Sequence, residues 1–336
     1  MDTLKKYFLL SALACLSFVT ACSSDDDEET KPYMSGSIAN DAPSYASVGD
    51  LLTINGSGIF CPEDVKYKWY IAGFLEDTLT AQKITVQMPD TTDSFTFVEL
   101  ATHPDYYSSS GSFILYVIDT TFNKSLTGIT RSGKSITDSR DGKEYSYVTI
   151  GSLDWFSQNL AYRTGTTFKN SPIMDGLFGR YYHWDTATGG VAGSGLGGGP
   201  QGACPEGWSV PTNEDWEDLA KAMNGGDELP FNDRWEGLGD VASTDAYLLE
   251  ERLWPYSPKN DHKNTFGWNA LPVGNTTFYH EDVNDYEKYG FWWSSSERDG
   301  KYAYYRYIYY DLGSFPMNYA DKSDFGASVR CVRLAQ

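Results

Sequence analysis

The stretch Cys204-Pro205-Glu206-Gly207-Trp208-Ser209-Val210-Pro211-Thr212-Asn213-Glu214-Asp215-Trp216 sets a cysteine, two prolines and two tryptophans beside a helix start. Pro211 cannot donate to a strand ladder. Thr212 then reads as an N-cap, and Asp215 three residues on makes a variant capping box. Glu214 and Asp215 occupy the first turn, where the helix dipole favours acids. Trp216, Leu219, Ala220 and Met223 follow at i, i+3, i+4 and i+7 and give one apolar face. Asn224-Gly225-Gly226 ends the element. The spacing predicts one clear helix here, with Trp216 in the core. Cys204 itself has three readings: nucleophile, metal ligand or half of a staple. No histidine lies nearby in sequence to lower a thiol pKa.

The ends of the chain bound the compartment. Lys5 and Lys6 precede an apolar run from Tyr7 to Val19, a basic segment and a hydrophobic segment too short to span a bilayer. The run closes on Val19-Thr20-Ala21-Cys22. This resembles the lipobox of bacterial lipoproteins, which implies a signal peptide over 1–21 and lipidation of Cys22. Residues 22–32 follow as an acidic tether, with Asp25, Asp26, Asp27, Glu28 and Glu29 repelling one another into an extended segment. The acidic run also resembles a surface-export signal of Gram-negative lipoproteins. The expected location is the outer membrane, lipid-anchored and exposed at the cell surface. The formal net charge of −20 falls to about −21 once the leader takes two lysines and one aspartate with it. With no basic stripe, such a chain is repelled by nucleic acid and by anionic headgroups.

Residues 33–130 read as all-β. Leu52 and Ile54, then Val65, Tyr67, Trp69 and Ile71, then Ile84, Val86 and Met88, and Phe95 with Phe97 alternate with polar positions. Phe113 to Ile118 is a continuous apolar run, as expected of a strand buried on both faces. Asn55-Gly56-Ser57-Gly58, Pro89-Asp90 and Ser108-Ser109-Ser110-Gly111 separate the runs as turns. The stretches SVGDLLTING, KYKWYIAG and GSFILYVID resemble immunoglobulin-like and PKD-like modules, which implies a β-sandwich. The last of these strands has no cysteine, so Cys61 is expected to be unpaired and buried.

The polar segment Asn123 to Lys134 reads as a linker. Beyond it, Asp141-Gly142 is a hairpin signal ahead of short strands at Tyr147–Ile150 and Leu153–Phe156. Gly193 to Gly198 fits GxGxxG but has no strand before it and no helix opening on its last glycine, so Gly189 to Gly202 reads as a flexible surface loop. His280 to Asp285 gathers oxygen ligands without the regular calcium-loop spacing, so calcium is a minor reading and no cofactor or metal is expected. The histidines lack HExxH or any i,i+4 pairing, and no two carboxylates stand out as a hydrolytic pair.

Several blocks recur in a known pattern. Asp138-Ser139-Arg140-Asp141-Gly142-Lys143-Glu144-Tyr145, Val148 to Gly151, Trp155, Gln158 to Tyr162, Gly179 to Trp184, the Cys204–Trp216 stretch, Phe291 to Ser296 and Ser328 to Arg333 resemble, in order, the Fibrobacter succinogenes major paralogous domain. The likeness spans 135–336. It is also distantly similar to formylglycine-generating enzymes and C-type-lectin-like folds, which implies an α+β head with its ends brought together. The resemblance further implies that Cys204 and Cys331 are a disulfide pair. The reactive cysteines and metal of the enzyme relatives are not carried over, and the calcium-dependent lectin motifs are absent.

The expectation is therefore a mixed architecture: an N-terminal immunoglobulin-like sandwich followed by an α+β, C-type-lectin-like domain. The expected role is adhesion or binding at the surface, to glycans or another surface protein, and not catalysis. A polysaccharide hydrolase or a structural fibre tip is the alternative. The candidate ligand surface lies in Tyr302 to Tyr310. Tyr305, Tyr307 and Tyr309 share one strand face, and Tyr302, Tyr304, Arg306, Ile308 and Tyr310 share the other. The first set is taken as the candidate ligand face, with Tyr304 then in the core; alternation gives the two sets but not which one is wet, so the faces can be exchanged.

Overall fold

Residues 33–130 place their alternating apolar positions on two facing sheets. The computed structural model describes residues 30–336 except 73–74, 230–232 and 278–279. Five strands form one sheet in the order Tyr45–Ser47, Tyr106–Ile118, Asp93–His103, Lys66–Ile71, Leu75–Leu79. Three form the other, in the order Ser35–Asn40, Leu51–Cys61, Lys83–Gln87. Ile54, Ile84 and Val86 from the small sheet meet Trp69, Ile71, Phe97, Leu115 and Val117 from the large one in a single apolar cluster. Along Lys83–Gln87 every second residue is buried, the period of two that the sequence carries.

Several expectations for this region need correction. The turns expected at Asn55–Gly58 and Ser108–Gly111 lie instead inside the strands Leu51–Cys61 and Tyr106–Ile118, held there by pairing with neighbouring strands. Phe113–Ile118 is not buried on both faces, since Ile114 is 50 % exposed while Leu115 and Val117 are fully covered. The outer face is bare at that point, whereas Tyr116 and Ile118 farther along pack against the C-terminal part of the chain. Cys61 is unpaired as expected, but it is exposed. It ends its strand beyond the reach of the core, beside the exposed Phe60.

The segment read as a linker is fixed by packing. Leu126–Thr127 pairs antiparallel with Tyr247–Leu248, which also pairs with Glu251–Arg252. Leu126 and Ile129 are buried in a cluster with Phe168, Met174, Phe178 and Leu271. Thr130 donates its backbone N–H to Asn269 Oδ1 and accepts from Asn269 Nδ2 at Thr130 O.

Past this join, the strand Ser135–Thr137 pairs with Glu144–Ile150, then comes Leu153–Phe156, and the last strand, Val332–Leu334, pairs with Leu153–Phe156. The first and last strands of the C-terminal part thus belong to one four-stranded sheet, at its two edges. Helix Asn213–Met223 lies where the sequence puts it. Thr212 Oγ1 accepts from Asp215 N, and Asp215 Oδ2 accepts from Thr212 N. Its buried face, Trp216, Leu219, Ala220 and Met223, joins a core in which Trp216 lies 4.9 Å from Trp155 and 5.8 Å from Trp268, ring to ring. Indole rings of this size bury roughly 150–250 Å² each, on the order of 4–6 kcal/mol of apolar transfer as an upper bound.

Arg330, between Val329 and Cys331, is fully buried, with an acceptor at each of its three nitrogens. It donates to Asn159 Oδ1, Phe156 O, Trp268 O and Asn269 O at 2.7–3.1 Å and stacks over the Trp268 ring. Burial holds its pKa well below the ordinary guanidinium value. Four carbonyl-type acceptors around one guanidinium tie three segments of the C-terminal part together. The chain as a whole is β-rich, built on several sheets with short helices.

Candidate functional site

The question posed by Cys204 is settled by its sulfur. Cys204 and Cys331 form a disulfide, with the sulfurs 2.06 Å apart and both residues fully buried. A thiol so oxidised is neither nucleophile nor metal ligand. Among the described residues no group of three or more His, Cys, Asp or Glu is placed to hold a metal ion. His280–Asn284 is a strand paired with Asn275–Thr277, and Asp285 Oδ2 accepts from Asn275 Nδ2. The side chains of 280–282 lie outside the described residues, as do Cys22 and the acidic run Asp25–Glu29.

The glycine-rich segment 189–202 is held in place by hydrogen bonds. Gly193 N donates to Ser295 O, Ser296 Oγ to Gly193 O, Thr212 Oγ1 to Gly195 O, and Gly197 N to Asp215 Oδ1. The same Asp215 caps the helix, so the loop is clamped to the helix start. This departs from the flexible loop expected from composition. At Gly199 a Cβ would lie 1.9 Å from Val210 O, so the close backbone approach there requires glycine.

The tyrosine strand, Tyr302–Tyr309, is the centre of a sheet with Tyr289–Glu297 on one side and Phe315–Asp321 on the other, the latter paired with Arg234–Trp235. Its register sets Tyr309 opposite Tyr289, Tyr307 opposite Phe291 and Tyr305 opposite Trp293. On that face the rings form a ladder. Tyr289 and Tyr309 are 4.5 Å apart between ring centroids, Phe291 lies 5.7 Å from Tyr305 and 6.1 Å from Tyr307, and Tyr305 stacks on Phe325 at 5.0 Å. Tyr305 and Tyr307 pack against the core cluster that contains the disulfide, while all three candidate tyrosines stay half-buried. Burial pushes the Tyr305 hydroxyl up to about 12. Tyr309 is also pushed up to about 12, by its hydrogen bond with Tyr310. Tyr305 and Tyr307 lie on the core cluster, and Tyr309 continues the row through Tyr289.

The opposite face divides in two. Ile308 is core, and Arg306 is buried with its guanidinium 3.4 Å from the Trp235 ring and, among the described residues, no hydrogen-bond partner at any of its three nitrogens. Burial lowers its pKa to about 9. Toward the strand start the sheet opens: Tyr302 and Tyr304 are half-buried, Tyr302 meets Tyr319 at 5.7 Å, and Arg298 lies 3.7 Å over the Tyr319 ring. The core face predicted from alternation is therefore core at Arg306 and Ile308, while Tyr304 belongs to the more open end. Alternation sorts the side chains into two sets, but the depth of each set is decided by what packs over it.

A family model described as the Fibrobacter succinogenes major domain matches residues 148–333, more than half of the chain. That span contains the disulfide, the capped helix, the glycine-rich loop and the tyrosine sheet. No curated protein matches the chain. By its sequence over 148–333 the chain belongs to the Fibrobacter succinogenes major domain family.

Proposed function

We propose that this protein is a lipid-anchored lipoprotein of the outer-membrane surface that binds polysaccharide without cleaving it. In this reading Cys22 carries the lipid and residues 22–32 are the tether. Residues 33–130 form an immunoglobulin-like spacer, and 135–336 form a C-type-lectin-like head. The observation that carries the binding role is the row of half-buried tyrosines on Tyr302–Tyr309, packed on Tyr289 and Phe291 of the neighbouring strand. Aromatic faces stack on the C–H faces of sugars, and a rigid sheet loses little entropy when they do. The acidic chain favours neutral over anionic glycans.

Two experiments test the reading. A glycan array probed with the full chain carrying Cys22→Ser should return neutral polysaccharides, and the bound glycan should be recovered at its original length. New reducing ends would replace the binding role with a hydrolytic one. In cells, Cys22→Ser should release the protein from the membrane fraction, and persistence there would remove the lipid anchor from the account.

A further inference from the structure

A cleft of about 500 Å³ lies where Thr120 and Thr121, just past the large N-terminal sheet, face the hairpin strand at Lys143–Tyr145 and the turn at Pro172–Gly176. Its volume is in the range of small-ligand sites, and junctions of this kind are where such sites concentrate. One wall is tight: a Cβ on Gly176 would lie 1.8 Å from Thr120 O.

The lining leaves bonds unmade. Asp175 is 5 % exposed. Its Oδ2 takes both Arg180 Nε, at 2.7 Å, and Arg180 Nη2, at 2.6 Å, while Oδ1 has no partner among the described residues. The Tyr145 hydroxyl accepts from Ala161 N, which leaves its own proton to donate. Lys143 Nζ donates to Ala161 O and retains further donors. Burial raises the Asp175 pKa despite Arg180, consistent with a carboxyl short of partners.

The cations, by contrast, are already matched. Arg180 answers Asp175 and Lys143 sits 3.8 Å from Asp141, while the exposed Glu144 accepts from the neutral Ser135 Oγ. An anionic ligand would find no free cation here, whereas a hydroxyl both donates and accepts and suits this mixture of donors and acceptors. Half-buried Ile173 supplies an apolar surface for a ring face.

We propose that this cleft binds a small neutral polyol, such as a monosaccharide or a cyclitol, with Asp175 Oδ1 accepting from one of its hydroxyls. The site is separate from the tyrosine sheet and does not depend on it.

The test is ligand-observed saturation-transfer NMR on the full chain, using glucose, galactose, mannose, N-acetylglucosamine and myo-inositol at millimolar concentration, with glucosamine and glucuronate as charged controls. At least one neutral probe should bind. Thr121→Trp, at an exposed position on the cleft mouth, should keep the parent melting temperature and weaken that binding about tenfold or more. Asp175→Asn, which replaces an acceptor by a donor, should weaken it comparably. Should Asp175→Asn fail to fold, Thr121→Trp decides alone. Tyr309→Ala should leave binding at this site unchanged, which separates its failure from failure of the sheet site. The inference is overturned if no neutral probe binds, if only the charged sugars bind, or if Thr121→Trp binds as the parent does.

Discussion

Replacing Cys204 and Cys331 together by alanine isolates what the disulfide contributes. The bridge closes a loop of 127 residues. In the chain-entropy treatment a closed loop of that length removes denatured-state freedom equivalent to about 5 kcal/mol at 25 °C. The loop contains the capped helix, the tyrosine sheet and most of the tryptophan core, so its full length is freed when the bridge is lost. Both sulfurs are fully buried, and alanine leaves small voids that add roughly 1 kcal/mol or less. Residual structure in the unfolded chain acts in the other direction, so a loss of about 3–5 kcal/mol is expected. The assay is guanidinium unfolding followed by tryptophan fluorescence, which reports chiefly on this part because Trp69 alone of the ten tryptophans precedes residue 130. The oxidised parent and the double variant are compared at equal ionic strength, with the parent under reductant as a third curve. A loss below about 1 kcal/mol, with unfolding still cooperative, would refute the argument that the bridge stabilises through loop closure.

Two buried groups give opposite pH signatures. Glu99 is 1 % exposed with neither carboxyl oxygen partnered among the described residues, and burial raises its pKa to about 7, so its contribution is fully present below about 4.5 and is lost as pH rises through 7. Glu99→Gln should therefore stabilise the N-terminal sheets by roughly 1–3 kcal/mol at pH 8 and change little at pH 4.5, as read by thermal melts at both values. His262 is buried against Trp254 with its Nδ1 at 2.9 Å from Ser243 Oγ, and burial lowers its pKa to about 4. Its contribution is present above about 6.5 and is lost as pH falls toward 4; His262→Asn should flatten stability between those limits, and an unchanged acid limb would refute this.

Local patterns were legible where the decisive neighbours are close in sequence. The helix Asn213–Met223 follows from Thr212, Asp215 and a four-residue apolar face, all within one short window. Period-two burial along Lys83–Gln87 is likewise local. Family resemblance pointed to the pairing of Cys204 with Cys331, which no spacing rule could have supplied. What stayed hidden depends on distant partners. Ile114 is bare and Ile118 is covered because only the latter meets the C-terminal cluster. Composition marks Gly189 to Gly202 as mobile, yet its bonds run to Ser295, Thr212 and Asp215. Leu126 and Ile129 look like linker residues until their partners around Phe178 and Leu271 are known. Arg330 reads as one basic residue in a closing motif, and only its four acceptors show it to be a structural centre. For the tyrosine strand, alternation separated Tyr305 from Tyr304, but Phe291, Phe325 and Tyr319 determine how far each is covered.

The most direct measurement is a titration of the full chain with the neutral glycan that the array selects, repeated for Tyr305→Ala, Tyr307→Ala and Tyr309→Ala, with a melt for each variant. The account predicts a loss of roughly 1–2 kcal/mol in binding, about five- to thirtyfold, at Tyr309 with the fold intact. Tyr305→Ala and Tyr307→Ala should lose binding together with some stability, because both rings also pack on the core. Unchanged affinity in all three variants, or shortening of the glycan during the titration, would contradict it.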